Sequence, residues 1–197
     1  MAGLSLYTTY YNETNPIRRK ELDEAITRNC VNPWFQRVYV ICEGTVEPPL
    51  HHKILCIHNS KRPTYQSVIA HMPLKQVGII VNTDCYFEGN PLPRDFWARD
   101  VAFAITRKEA HMEYGFLCLD GSQDAWAFVK HDDDWRCDWA FGKPHCENIF
   151  ATELRRKYQF VENPGKEVNL IHLHASCVRT YTDHDRVIGN ESDVRFR

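Results

Sequence analysis

Aromatic and β-branched residues crowd positions 4–11 and predict an opening strand. Asn15-Pro16 follows, a capping residue before a proline at the first helical position. The helix expected over 17–30 has Leu22, Ala25, Ile26 and Cys30 as its apolar stripe. Its wet face carries Lys20/Glu24 and Glu24/Arg28 at pairing distance. Asn32-Pro33 ends it, and residues 37–42 read as a second strand. Strand, helix, strand is the unit that builds parallel sheets through right-handed crossovers.

The pattern then repeats. Residues 53–57 predict a short strand, and Arg62-Pro63-Thr64 leads into a helix with Tyr65, Val68, Ile69 and Met72 on one face. Residues 77–81 are almost entirely apolar, as expected of a central parallel strand covered on both sides. Further strands are expected at 101–106, 114–119, 125–129 and 168–174, and a helix at 148–158 on the spacing of Phe150, Leu154 and Tyr158. His131-Asp132-Asp133-Asp134 reads as a solvated loop. One domain over 1–181 with a charged, loosely held tail over 182–197 is the expected organisation.

Composition narrows the class. Hydrophobic residues are 43% and aromatics 12% of the 197 residues, enough for a real core. Lys and Arg total 24 against 26 Asp and Glu, a net charge of -2. That balance argues against a dedicated phosphate-backbone binder and leaves room for a local basic groove. No apolar run approaches a membrane span of roughly 20 residues, and Met-Ala-Gly-Leu-Ser is no secretory signal. A cytoplasmic protein is expected, in host cytoplasm if the source is viral. The eight cysteines include no Cys-x-x-Cys pair and are expected to be mostly reduced core thiols.

Four places carry candidate chemistry. Asn82-Thr83-Asp84 lies just past the carboxyl end of the apolar strand, where open α/β sheets hold their ligands. A carboxylate there can hold a hard divalent cation, with Glu88 assisting if the chain turns back; the plainer reading is a polar turn. His172 and His174 alternate along a strand, so both imidazoles and Ser176 fall on one face and can ligate a metal or clamp phosphate. Gln123 and Asp124, after Ser122, suit sugar hydroxyls, with Trp126 or Trp139 as an apolar platform or simply as core. Glu147, beside His145 and Cys146, starts a helix and serves either as a catalytic base or as a carboxylate at the positive dipole end. Arg62, Arg107 and Arg179 are candidate phosphate ligands.

These segments together resemble a group of small glycosyltransferase-like proteins of bacteria, large DNA viruses and bacteriophages. The matching stretches are Tyr7-Thr-Thr-Tyr-Tyr, Pro16-Ile-Arg-Arg-Lys-Glu-Leu, Arg62-Pro-Thr-Tyr65, Val81-Asn-Thr-Asp-Cys-Tyr-Phe87 and Ala104-Ile-Thr-Arg107. Ser122-Gln-Asp-Ala-Trp126, Asp138-Trp-Ala-Phe-Gly142 and His172-Leu-His-Ala-Ser176 through Arg179-Thr-Tyr181 continue in order. The resemblance implies a GT-A-like α/β fold, a Rossmann-like mixed sheet flanked by helices, with nucleotide-diphospho-sugar chemistry. It also implies Mn²⁺ or Mg²⁺ held by Asp84 with a late histidine, His172 or His174, and asparagine in place of the first acid of an Asp-x-Asp signature. Thr8 and Tyr10 would meet the nucleotide base and ribose, and Asn82, Asp84, Arg62, Arg107, Gln123 and Arg179 the rest of the donor. His145-Cys146-Glu147-Asn148 stands where the family tends to have Gly-Cys-Asp-Asn.

The resulting expectation is a metal-dependent glycosyltransferase that uses a nucleotide-sugar donor, UDP-sugar first. Glu147 is the leading acceptor-side carboxylate and Asp124 the second. The acceptor is a glycan hydroxyl or a hydroxymethylated base in phage DNA. The DNA option draws on Arg18-Arg19-Lys20, Arg94, Arg99 and Arg155-Arg156-Lys157 as a basic track. Two other readings stand beside it: a non-catalytic nucleotide-sugar or carbohydrate-binding module, and a structural zinc protein built on Cys137, His145, Cys146 and His172.

Overall fold

A computed structural model of the chain describes residues 3–98, 100–110, 123–178, 182–189 and 194. β1 (Leu4–Tyr10) leads into α1 (Pro16–Val31). Asn15 Oδ1 accepts from the amides of Ile17 and Arg18 at 2.9 and 3.1 Å, which satisfies two of the open donors at the helix start. β2 (Phe35–Glu43) and β3 (Ile54–Asn59) follow, then α2 (Tyr65–Ala70). Thr64 and Ser67 cap α2 reciprocally, each side chain bonding the other's amide at 3.1 and 2.9 Å. The chain continues through β4 (Val77–Val81), β5 (Cys85–Glu88), β6 (Val101–Thr106), β7 (Lys108–Glu109) and β8 (Gln123–Val129). It closes with α3 (Cys146–Lys157), β9 (Phe160–Glu162) and β10 (Asn169–His172).

Seven strands form a mixed sheet in the order β3-β2-β1-β4-β8-β6-β9. β4 is parallel to β1 on one side and antiparallel to β8 on the other. An apolar strand covered on both faces was expected to have parallel neighbours; the coverage holds, but hydrophobicity records burial and not the direction of the next strand. β8 alone therefore runs against the other six strands, and Asn82-Thr83-Asp84 leaves from the carboxyl end of β4.

Side-chain alternation along the strands separates two cores. Leu6, Val40, Ile79 and Phe103 face α1, through Leu22 and Ile26. Tyr7, Ile41, Ile80 and Trp126 face α2 and α3, through Tyr65 and Phe150. A second sheet of β5, β10 and β7 lies on the α1 side, where Cys85, Phe87 and Leu170 join the first core.

Several expectations change. The strand expected over 168–174 stops at His172, because Leu173 turns its amide to the Asp84 carbonyl at 2.8 Å and its own carbonyl to Arg18 Nη1 at 2.9 Å. β5, β7 and β9 were not anticipated; each is four residues or fewer, too short to show a period. On α1, Glu24 pairs with Arg28 at 2.6 Å. Of the tail, Val194 is 1% exposed, and its carbonyl accepts from Gln123 Nε2 and Asn163 Nδ2, both at 3.1 Å. Residues 114–119 lie outside the described residues. No helix among the described residues is long and apolar enough to cross a membrane.

Candidate active site

The turn after β4 is fixed by its own polar groups. The Cys85 amide donates to the Asn82 carbonyl at 3.0 Å, Thr83 Oγ1 donates to the Thr9 carbonyl at 2.8 Å, and the Asn82 amide donates to the Asp124 carbonyl at 2.9 Å. Asp84 is thereby held in the lining of a cleft of about 280 Å³, near the lower end of the ~300–1,000 Å³ common for small-molecule sites. Strand register then delivers its neighbours. His172 sits opposite Cys85 on β5 and opposite Glu109 on β7.

A chain of alternating charge results. Arg18 Nη2 and His172 Nε2 both contact Asp84 Oδ2, the latter at 3.1 Å. His172 Nδ1 contacts Glu109 Oε2 at 2.8 Å, and Glu109 Oε1 accepts from Arg107 Nε at 2.8 Å. Arg107 Nη1 donates to Asp124 Oδ2 at 2.8 Å, and Asn82 Nδ2 donates to Asp124 Oδ1 at 2.7 Å. Opposite charges thus hand on from Arg18 to Asp124 along the cleft floor. α1 also clamps the exit of β10: Glu21 accepts from the amide and hydroxyl of Ser176 at 2.8 and 2.7 Å.

Burial and these partners set the protonation states. Burial alone would raise the Asp84 carboxyl, but His172 and Arg18 hold it well below the usual carboxylate range. For His172, burial opposes the charge, and Asp84 and Glu109 outweigh it, pushing the imidazole up to about 9. Glu109 is brought down to about 2 by His172 and Arg107 against its own burial. His174 is lowered by burial and by the positive charges of Arg18 and His172, so its imidazole is neutral at pH 7.

Asp84, His172 and His174 each offer a ligand atom, all within 4.8 Å of one another. His174 Nε2 is buried with no hydrogen-bond partner. An orphaned neutral imidazole beside a carboxylate and a second imidazole fits a divalent cation such as Mn²⁺, which accepts both donor types. Glu109 on the far nitrogen of His172 is the carboxylate that commonly orients a ligating histidine.

Glu147 stands elsewhere on the lining, in the first turn of α3. Burial first, and the nearby Asp124 charge second, push its carboxyl up to about 7. His145, the residue before α3, has φ +67, the left-handed conformation that glycine adopts without cost.

The remaining predicted residues divide. Tyr10, Arg62, Asn82, Gln123, Asp124 and Arg107 line the cleft with Asp84, Glu147, His172 and His174. Arg62 donates Nε–H to the Phe141 carbonyl at 2.9 Å and lies against Gly142, where an added Cβ would sit 3.2 Å from its Nη2. Tyr10 lends its hydroxyl to Asp23. Thr8 is fully buried and bonds the Val81 carbonyl at 2.9 Å; Thr9 reaches the cleft in its place. Arg179 lies outside the described residues.

Some expectations do not survive the packing. Glu88 sits at the far end of β5, opposite Asn169, and is exposed. Trp126 is fully buried among Tyr65, Phe141 and Phe150 and offers no platform. Cys137 and Cys146 belong to the second core, and among the described residues they form no ligand group with His145 and His172. Of the basic track, Arg18 is buried on Asp84, Arg156 pairs with Glu153 and Asp134, and Lys157 with Asp132; Arg99 lies outside the described residues.

Sequence reasoning missed Arg18 and Glu109 as site residues. For Arg18 a signal existed: it lies four residues before Leu22, on the buried stripe of α1. For Glu109 none did, since only the pairing of β7 with β10 brings it to His172.

No protein-family model matches the sequence, and no curated protein matches it. Among solved structures, the chain is similar to a crystal structure of GalNAc-T7 with UDP, GalNAc and Mn²⁺, with 11% identity and a TM-score of 0.39. The match covers 54% of this chain, and the chain spans 23% of that one.

Proposed function

We propose that the chain is a metal-dependent glycosyltransferase that moves a sugar from a nucleotide-diphosphate donor, UDP-sugar first, to an acceptor hydroxyl. The observation that carries this reading is the convergence of Asp84, His172 and His174 at a strand-end cleft, with the orphaned Nε2 of His174 among them. A divalent cation bound there supplies positive charge for the diphosphate leaving group.

The chain's own residues do the rest. Arg62 adds positive charge to the cleft lining, suited to phosphate oxygens, and Lys143, paired with Asp185 at 2.6 Å, lines it too. Asp124 is committed to Arg107 and Asn82, which makes it a positioning group. Glu147, poised near neutrality, accepts the acceptor proton as the hydroxyl oxygen bonds to the anomeric carbon and the carbon–oxygen bond to the diphosphate breaks. That role belongs to an inverting course; in a retaining one Glu147 orients the acceptor. The acidic partners of Arg18, Arg156 and Lys157 favour a glycan or other small hydroxyl acceptor over duplex DNA.

One observation favours the non-catalytic module instead: Arg18 and His172 already neutralise Asp84. A thermal-shift screen of nucleotide sugars with and without Mn²⁺, followed by assay of nucleotide-diphosphate release, separates the two. Metal-dependent stabilisation with release supports the transferase. Stabilisation without release over a panel of acceptors supports the module, and no response to any donor rejects both.

A further inference from the structure

Away from the cleft, the edge of the large sheet carries a second gathering of ligating atoms. β3 is an edge strand, and the loop after β2 turns at Gly44, φ +66, whose amide donates to the Asn59 carbonyl at 2.7 Å. That turn folds Glu47 back over the end of β3. Glu47, Cys56 and His58 then offer ligand atoms within 4.8 Å of one another.

The separations match a tetrahedral shell. With Zn–S near 2.3 Å and Zn–N near 2.0 Å, sulfur–nitrogen edges are about 3.5 Å and nitrogen–oxygen edges about 3.3 Å. Cys56 Sγ lies 3.6 Å from His58 Nε2, and His58 Nε2 lies 3.2 Å from Glu47 Oε1. Cys42 Sγ, from the neighbouring strand, stands 3.2 Å from Cys56 Sγ. That is far beyond a disulfide bond of about 2.05 Å and short of the ~3.8 Å edge between two zinc-bound sulfurs, so Cys42 backs the cluster from outside it.

The histidine is oriented for this role. His58 Nδ1 lies 3.0 Å from the Gly44 carbonyl, which can only accept, so Nδ1 carries a proton. In the neutral ring, Nε2 then presents a lone pair toward the Glu47 carboxylate and the Cys56 sulfur. A cation between that lone pair and the carboxylate satisfies both, and a carbonyl on the far nitrogen is the usual support of a metal-bound histidine.

We propose that Glu47, Cys56 and His58 form a zinc site at the sheet edge, with a water in the fourth position. A thiolate, an imidazole and a carboxylate suit a borderline-soft ion over Mn²⁺ or Mg²⁺. The site pins the loop that follows β2. Glu43, the last residue of β2, lines the cleft, so the pinned loop leaves from one wall of it. This inference does not depend on the glycosyltransferase reading.

The test is a Co²⁺ titration of the full chain in reducing buffer, followed by Zn²⁺ competition. One equivalent of Co²⁺ giving a thiolate charge-transfer band and tetrahedral visible bands, displaced by Zn²⁺, is expected. C56S removes the band, and H58A and E47Q weaken zinc by about 100-fold, at least the loss seen when a supporting residue is removed. H174A keeps the band, which separates this site from the cleft. His58 and Glu47 side chains are 46% and 71% exposed, so those variants keep the assay available if C56S misfolds. A cobalt complex without the thiolate band, or a band that survives both C56S and H58A, overturns the proposal. So does a Cys42–Cys56 disulfide in unreduced protein with no cobalt band after reduction.

Discussion

His172 Nε2 lies 3.1 Å from Asp84 Oδ2, and on its other side the same imidazole meets Glu109 at 2.8 Å. A ring with a carboxylate at each nitrogen holds both protons, the one on Nε2 being what a divalent cation would displace, and each carboxylate in turn holds an arginine. Asp84 is therefore more than a strand-end carboxylate offered to solvent; at 14% side-chain exposure it joins α1, the turn after β4 and β10. Removing it leaves Arg18 with Glu21 and His172 with Glu109 as their remaining anions.

Asp84→Asn should for this reason cost stability as well as metal response. Loss of one partner from a buried ion pair is worth about 3–5 kcal/mol, and with Glu21 and Glu109 still in place the cost should fall at the low end, on the order of 10 °C in Tm for a chain this size. Adding His172→Gln should recover part of the loss, because it removes the imidazolium that has lost one of its two carboxylates. Thermal melts of both variants check this, and a Tm unchanged in Asp84→Asn would show that the network contributes nothing.

His174→Ala should separate metal binding from folding. Its Nε2 has no partner, so no hydrogen bond is lost. Mn²⁺ affinity, read from the metal-induced rise in Tm, should fall by about 10–100-fold, with the metal-free Tm nearly unchanged. His172→Ala should lower both.

The left-handed residue at the start of α3 gives a sharper backbone test. At φ +67, His145 carries a conformation that costs a residue with a Cβ about 1–2 kcal/mol. Comparing His145→Gly with His145→Ala removes the imidazole from both. The glycine variant should be the more stable by about 1 kcal/mol, or about 2–4 °C, the reverse of the order in a helix interior.

Much of the main sheet was legible because long strands and capped helices obey local rules: Asn15-Pro16, Thr64 and the run over 77–81 each announce their element. The small sheet was not. β7 has two residues and β10 four, and their partners are fixed by tertiary register alone. Asp84, His172 and His174 were readable by residue type and position, and the structure brings them together. Glu109 and the role of Arg18 depend on which residue lies opposite which. Asp124 was read as a possible base, and only its contacts with Arg107 and Asn82 show how fully its oxygens are engaged.

Glu147→Gln should uncouple chemistry from binding, and its pH dependence has a definite sign. A general base works deprotonated, so transfer by the natural chain should rise with pH through about 7 and level off above it. The variant should lose about 10²–10⁴-fold in kcat at unchanged donor affinity, without that inflection. Stability runs the other way. The folded carboxyl titrates near 7 against 4.5 for the ordinary group, so below 4.5 both states are protonated and the group costs nothing. As pH rises through 7 the folded state must hold a buried charge, a penalty on the order of 1–3 kcal/mol. Glu147→Gln should therefore match the natural chain at pH 4.5 and exceed it at pH 8 in chemical denaturation. Equal stabilities at pH 8, together with an unchanged rate profile, would reduce Glu147 to a solvated carboxylate at a helix start.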